Sequence, residues 1–464
     1  MADELWQRGA LELAGMIRSK EVSSREVLDA HLARIEQVNP AVNAVVRVLA
    51  DEARAAADSA DAAVGRGDEL GVLHGVPITV KENIDVAGTP TTSGVVMLAD
   101  AVSPVDAPIV ARMRAAGAIP FARTNLPDLG LRVHTDSSLH GLTRNPWNAE
   151  RTAGGSSGGE GSALASGMTP LGLGNDIGGS LRNPAHCCGI TSIKPTTGRV
   201  PGATVIPPED FGIAAQIMLA DGPMARRVAD VRAALEVIAG AHPRDPRSVD
   251  APFHSGTTKR VAVLADPPGG TTDAGIAAVV RAAADHLSDA GYEVVEATPP
   301  DYEQAVQLWG VILGSEVKAM RPLLDMVMGD GGRAFLELAE PILATDDLAA
   351  LLAAHTARSG VARRWSVWME DQPIVISPTW AHPAFPHGHD IASAQATLEV
   401  FETLRPVLPG NLLGLPCAVV PGGVCDGLPV GVQVIGRAFH EMECLDVAQA
   451  IEDRVGILTP IDPR

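Results

Sequence analysis

Only five cysteines occur in 464 residues, an odd number of which two, Cys187 and Cys188, are adjacent. Such a set is no disulfide framework and fits a reducing cytosol, so a cytoplasmic location is expected. Positive charge is scarce as well: 36 Lys and Arg stand against 56 Asp and Glu, a formal net charge of −20. Phosphate binding needs concentrated positive charge, so neither a nucleic-acid nor an anionic-membrane partner is expected. No run of about 18 uncharged apolar residues is present, so no transmembrane helix is expected. The first residues, Met-Ala-Asp-Glu-Leu, lack the basic segment and apolar run of a signal peptide. What these absences leave is a soluble acidic enzyme, long enough to bury a substantial core without disulfides or structural metal.

Length alone allows two or three domains, but no internal repeat or Pro/Ser linker interrupts the chain. One continuous domain over 1–464 is the reading, with N-terminal helices in 1–66, a motif-bearing region at about 67–220 and a helical cap at about 300–370. Ser23-Ser24-Arg25-Glu26 has the capping-box pattern, and Leu28, Leu32 and Ile35 follow at helical spacing up to Pro40. Residues 50–66 are Ala-rich and read as a helix. Residues 72–80 are apolar and β-branched, a strand that delivers Lys81. A helix at 107–116 and a strand at 118–123 come next, and a further strand–helix–strand unit spans 261–295. Strands return at 418–420 and 430–435 around a turn at Asp426-Gly427. This alternation predicts an α/β fold.

Three stretches are out of the ordinary: Val80-Lys81-Glu82-Asn83, Gly154-Gly155-Ser156-Ser157-Gly158-Gly159 and Asp176-Ile177-Gly178-Gly179-Ser180-Leu181-Arg182. Each sets a reactive side chain among glycines or at the end of a β-rich run. A serine hydroxyl needs a neighbouring base, and the nearest histidine in these motifs is His186, six residues beyond Ser180. A lysine of lowered pKa, Lys81, can do the same job. The glycines before Ser180 let the amides of Ile177, Gly178, Gly179 and Ser180 face one concavity that holds a developing oxyanion. A tight turn before a strand is the alternative. The 154–159 run lacks the Gly-Lys-Ser/Thr ending of a P-loop. It matches the G-x-S-x-G nucleophile elbow, but an elbow needs a strand before it, and residues 144–150 are polar and turn-like.

Other clusters attract less weight. His382, His387, His389 and Asp390 could ligate a metal, but Pro383, Pro386 and Gly388 make the segment a loop near a pocket mouth, and no metal is expected. Cys187 and Cys188 are expected as buried packing. His134 and His140 either line the pocket or cap a turn.

Taken together, the three motifs resemble those of the amidase signature family in order and separation. Thr143-Arg144-Asn145-Pro146-Trp147, Cys188-Gly189-Ile190, Lys194-Pro195-Thr196 and Gly427-Leu428-Pro429-Val430-Gly431-Val432-Gln433 fit too, and the resemblance runs from about residue 5 to 455. Gly158-Gly159-Glu160-Gly161 and Asp176-Ile177 resemble the branch containing fatty acid amide hydrolase, whose membrane anchor has no counterpart in this sequence. The resemblance implies a single large α/β domain with a mixed central sheet covered by helices. It implies Ser180 as nucleophile, Ser156 as a bridging serine after a cis peptide at Gly155, and Lys81 as general base. Asp176 and Arg182 support the loop, Ser137 and Ser138 steady the region, and neither cofactor nor metal is required. Neutral Lys81 would take a proton from Ser156 as Ser156 takes one from Ser180. That demands a Lys81 largely deprotonated near neutrality, against a reference pKa of about 10.4; burial and a positive neighbour such as Arg182 push that way.

Residues 206–218, 309–324 and 380–385 are largely apolar and are expected to shape the pocket. The expected substrate is a small neutral aryl or alkyl amide, with carbamates (urethanes) and esters as alternatives, acted on by a monomer or homodimer. Two rivals remain. The A-type subunit of a tRNA-dependent amidotransferase carries an Asp-Gln-Ile-Gly-Pro segment, which is broken here at Leu219-Ala220-Asp221-Gly222-Pro223. An α/β-hydrolase esterase would use Ser156 with a distant His and Asp and would not need Lys81.

Overall fold

Alternation of side chains divides the core in two. In the strand Cys417–Cys425, Ala418 and Val420 join one buried cluster while Cys417 and Val419 join another. Ile374 and Ile376 likewise part from Val375. Successive strand residues point to opposite faces, so strands apolar on both faces need cover on both, and helices supply it.

In the computed structural model, which describes residues 2–207, 209–254 and 259–464, eleven strands form one mixed sheet. They are β1 (Val45–Val48), β2 (Pro77–Lys81), β3 (Ile119–Thr124), β4 (Leu171–Asp176), β5 (Thr191–Lys194), β6 (Ala220–Ala225), β7 (Arg260–Val263), β8 (Glu293–Glu296), β9 (Ile374–Pro378), β10 (Cys417–Cys425) and β11 (Leu428–Gly436). Their order is β1-β3-β2-β4-β6-β5-β10-β11-β9-β7-β8. The chain thus forms a single α/β domain with a large mixed sheet, as expected. β2 and β4 run parallel, with Val80 beside Leu173, so Lys81 and the Asn175-Asp176 end of β4 meet at one edge. Carboxyl ends of neighbouring parallel strands are where open α/β sheets place ligands.

Local signals set the boundaries. Ser23 and Glu26 form the capping box in full and start the helix Ser24–Val42. That helix runs past Pro40, which sits in its last turn, and stops at Asn43 in a left-handed conformation. The strand expected at 72–80 begins only at Pro77, because residues 72–75 are turns and Gly75 has a φ of +76°. Asp426 and Gly427, both at positive φ, close the β10–β11 hairpin as a two-residue turn. Four helices, Tyr302–Ala319, Arg321–Val327, Asp330–Leu343 and Leu348–Trp368, lie between β8 and β9 and make the expected helical excursion. Among the described residues, no helix is long and apolar enough to cross a membrane.

Candidate active site

Lys81 ends β2 fully buried, on the same face as Thr79 two residues earlier. Its Nζ donates to Ser156 Oγ at 2.7 Å and to Asn175 Oδ1 at 2.8 Å. Burial pushes the Lys81 ammonium down to about 7, against the pull of Asp176, Asp221 and Glu160, which favour its charged form. The expectation that Arg182 would help is not met, because that guanidinium is engaged by Asp176. Thr79 and Thr124 both donate to the buried Glu160 carboxyl. The helix Gly158–Ala165, which opens just after the two serines, is thereby pinned to β2 and β3.

Ser156 follows a cis Gly155–Ser156 peptide, as the motif implied. Ser180 lies in the loop after β4, and the two serine loops are stitched together. The Ser157 amide donates to the Ser180 carbonyl at 3.3 Å. Asn183 Nδ2 donates to the carbonyls of Gly155 and Gly178, each at 3.1 Å. Among the described residues no hydrogen bond joins the Ser156 and Ser180 hydroxyls. Asn175 and Asn183 are the site residues that the motif reading missed; both adjoin the motif glycines and serine, and that adjacency was the one available signal.

Asp176 and Arg182 form a fully buried bidentate pair at 2.9 and 3.0 Å. Burial alone would raise the Asp176 pKa, but Arg182, Lys194 and Asn411 outweigh it and hold the carboxyl well below its usual range. The same carboxylate accepts the amides of Gly179 and Leu181. Here the four-amide oxyanion hole needs correction: an amide bound to Asp176 faces away from the concavity, so Gly179 leaves the set. The amides of Ile177, Gly178 and Ser180 keep no protein partner among the described residues. Gly179 itself sits at φ +94°, and a Cβ there would lie 2.3 Å from Asn183 Oδ1, so no other residue fits. Asp176→Asn leaves the buried Arg182 charge uncompensated and is expected to cost about 3–5 kcal/mol of unfolding free energy. Urea unfolding reads this directly; a loss under about 1 kcal/mol would deny Asp176 that structural role.

A mostly apolar pocket opens beside Ser180 and Gly178, lined by Leu131, Val133, Trp309, Leu313, Phe335 and Phe401 among others. Its charged wall residues are all paired: Arg132 with Asp390, Lys318 with Glu340, and Arg321 with Asp325. Of the three stretches expected to shape the pocket, only 309–324 does so. Phe211, Gln216 and Ile217 line a separate cavity of about 450 Å³ with Asp221 and Arg247, and position 208 lies outside the described residues. Trp380 stacks on Phe385 and donates to Asn183 Oδ1, backing the serine loops from behind.

The histidines point elsewhere. His186 Nδ1 accepts the Gly431 amide, and burial pushes the ring down to about 4. His134 shares Nδ1 with Thr152 Oγ1 and is pushed to about 4 for the same reason, while His140 pairs with Glu82. His387 bonds the Ala149 carbonyl, His389 pairs with Glu399 and Asp390 with Arg132, so the suspected cluster is dispersed over three partners. Cys187 and Cys188 are buried, and burial raises both thiols. Ser137 and Ser138 brace the preceding loop through Asn125, Asp128 and Gly94.

Comparison with known proteins finds relatives over nearly the whole chain. The family model described as Amidase matches residues 26–445. The indoleacetamide hydrolase of Bradyrhizobium diazoefficiens is 44% identical over 98% of this chain and 88% of its own length. The A-type subunit of the glutamyl-tRNA(Gln) amidotransferase of Salinispora arenicola is 34% identical over 98% of this chain and 99% of its own. The solved structure of a bacterial aryl acylamidase of the amidase signature enzymes superposes with a TM-score of 0.84 at 27% identity, covering 96% of each chain.

Proposed function

Because the chain belongs to the amidase signature family of amide hydrolases, we propose that it cleaves neutral aryl or alkyl amides through a Ser-Ser-Lys acyl-enzyme route. Indoleacetamide is the first candidate substrate, on the strength of the 44% identical relative. Small carbamates and esters present the same carbonyl and are the next to test. The observation that carries this reading is the buried Lys81 amine, held near neutrality and 2.7 Å from Ser156 Oγ.

The steps follow from the residues. Neutral Lys81 accepts the Ser156 proton while Ser156 accepts that of Ser180, and Ser180 Oγ bonds to the substrate carbonyl carbon. The oxyanion lies on the free amides of Ile177, Gly178 and Ser180. The relayed proton passes through Ser156 to the leaving amine as the C–N bond breaks. Water, deprotonated by the same relay run again, then releases the acid and frees Ser180. The relay needs a Ser156–Ser180 hydrogen bond in the substrate complex, where catalytic contacts commonly tighten.

Specificity follows from the pocket wall. Its charges are mutually satisfied, so a charged acyl group would be desolvated without a partner. Asp221, the acidic residue of the broken segment, lines the other cavity, which weighs against glutamine as substrate. The esterase alternative lacks a base, since the neighbour of Ser156 is Lys81 and not a histidine. A hydrolysis panel should show turnover of indoleacetamide or a neutral anilide, with glutamine at least about 100-fold slower in kcat/KM, the penalty of an unpaired buried charge. Dominant glutaminase activity without arylamide cleavage would sink this specificity.

A further inference from the structure

Each amide that is free to meet an oxyanion belongs to a peptide plane fixed from its carbonyl side. The carbonyl of Asp176 accepts from Asn411 Nδ2 at 3.3 Å, that of Ile177 from Trp309 Nε1 at 2.8 Å, and that of Gly179 from the Asn183 amide at 2.5 Å. In a planar trans peptide the C=O and N–H point in opposite directions. Each anchor therefore aims the N–H of the following residue, Ile177, Gly178 or Ser180, away from itself. Of the three anchors, Asn411 and Asn183 are buried behind the loop, whereas Trp309 also forms the wall of the pocket beside Ser180. The indole touches the loop a second time: a Cβ on Gly178 would stand 2.6 Å from Trp309 Cζ2.

We propose that Trp309 is a positioning residue that ties the acyl pocket to the oxyanion loop, aiming the Gly178 amide through the Ile177 carbonyl while its ring meets the acyl group. This rests on the reading of Ser180 as nucleophile. Filling the pocket presses on the same ring that orients the donor, so acyl-group fit acts on kcat and not on KM alone. Gly178 is then glycine because the ring needs its face.

Trp309→Phe keeps an aromatic wall and removes the N–H. The rate at which a fluorophosphonate labels Ser180 reads nucleophile and oxyanion geometry together, whatever the preferred amide. That rate should fall about tenfold, less than the 10²–10³ lost when an oxyanion donor is deleted outright. For the best amide of the panel, kcat should fall by a similar factor with KM within about twofold, at an unchanged melting temperature. Gly178→Ala, which pushes the ring away from the loop side, should give the same kcat-weighted loss and serves if the first variant folds poorly. Labelling at the parent rate in both variants, or a change confined to KM, overturns the proposal. A parent protein not labelled at Ser180 overturns instead the nucleophile assignment beneath it.

Discussion

Ser180→Ala should lower kcat/KM for amide hydrolysis by roughly 10⁵-fold and abolish labelling by a fluorophosphonate, because the hydroxyl that forms the acyl bond is gone. The fold should survive. Ser180 is buried at 5% exposure, and among the described residues its side chain makes no hydrogen bond that the substitution would break. In the parent protein, mass spectrometry should place the phosphonate on the peptide holding Ser180. Ser156→Ala should also be severely impaired yet still label slowly, since the nucleophile and the three amides remain while the relay is cut. Label found on Ser156 with Ser180 untouched would exchange the two roles.

The second large effect belongs to Lys81. If it acts as the neutral base, kcat/KM rises with pH through an ionisation near 7 and levels above it, because only the deprotonated amine accepts the Ser156 proton. Below that point the buried ammonium is charged and the relay stops. Lys81→Met keeps the apolar stem in its slot and should lose at least about 10³-fold, with the rising limb gone. Lys81→Arg should not rescue activity, since a guanidinium stays protonated. A folded Lys81→Met protein with near-parent turnover and an unaltered pH profile would remove lysine from the mechanism and return the search to histidine.

Much of this site was legible in the sequence because its reactive side chains sit in or beside short runs of unusual glycine density. Lys81 at the end of an apolar β-branched run, and the two serines within glycine clusters, needed only adjacency to be noticed. What escaped depends on partners distant in the chain. Trp309 lies 132 positions from Ile177, and nothing in a helical stretch marks one tryptophan as bonding a loop carbonyl. The 206–218 stretch is apolar in the same way as 309–324, yet it walls a different cavity; composition does not say which space a wall faces. Arg182 was credited with repelling Lys81, but its charge is neutralised by a carboxylate six residues away whose orientation only the fold reveals. Gly179 was counted among the oxyanion donors for the same reason. A run of glycines shows that amides are free to turn, not which way they turn.

The anchoring of Arg182 carries a consequence for how this protein comes into being on the ribosome. Besides Asp176, the guanidinium donates to the Val407 carbonyl and to Gln433 Oε1, residues translated 225 and 251 positions after it. Lys81, Ser156 and Ser180 therefore leave the exit tunnel long before the groups that set the shape of their loop exist. A nascent chain that already carries all three lacks the partners that fix Arg182 until the segment holding Val407 and the strand β11 holding Gln433 have been made, so the loop around Ser180 is completed from the far end of the chain.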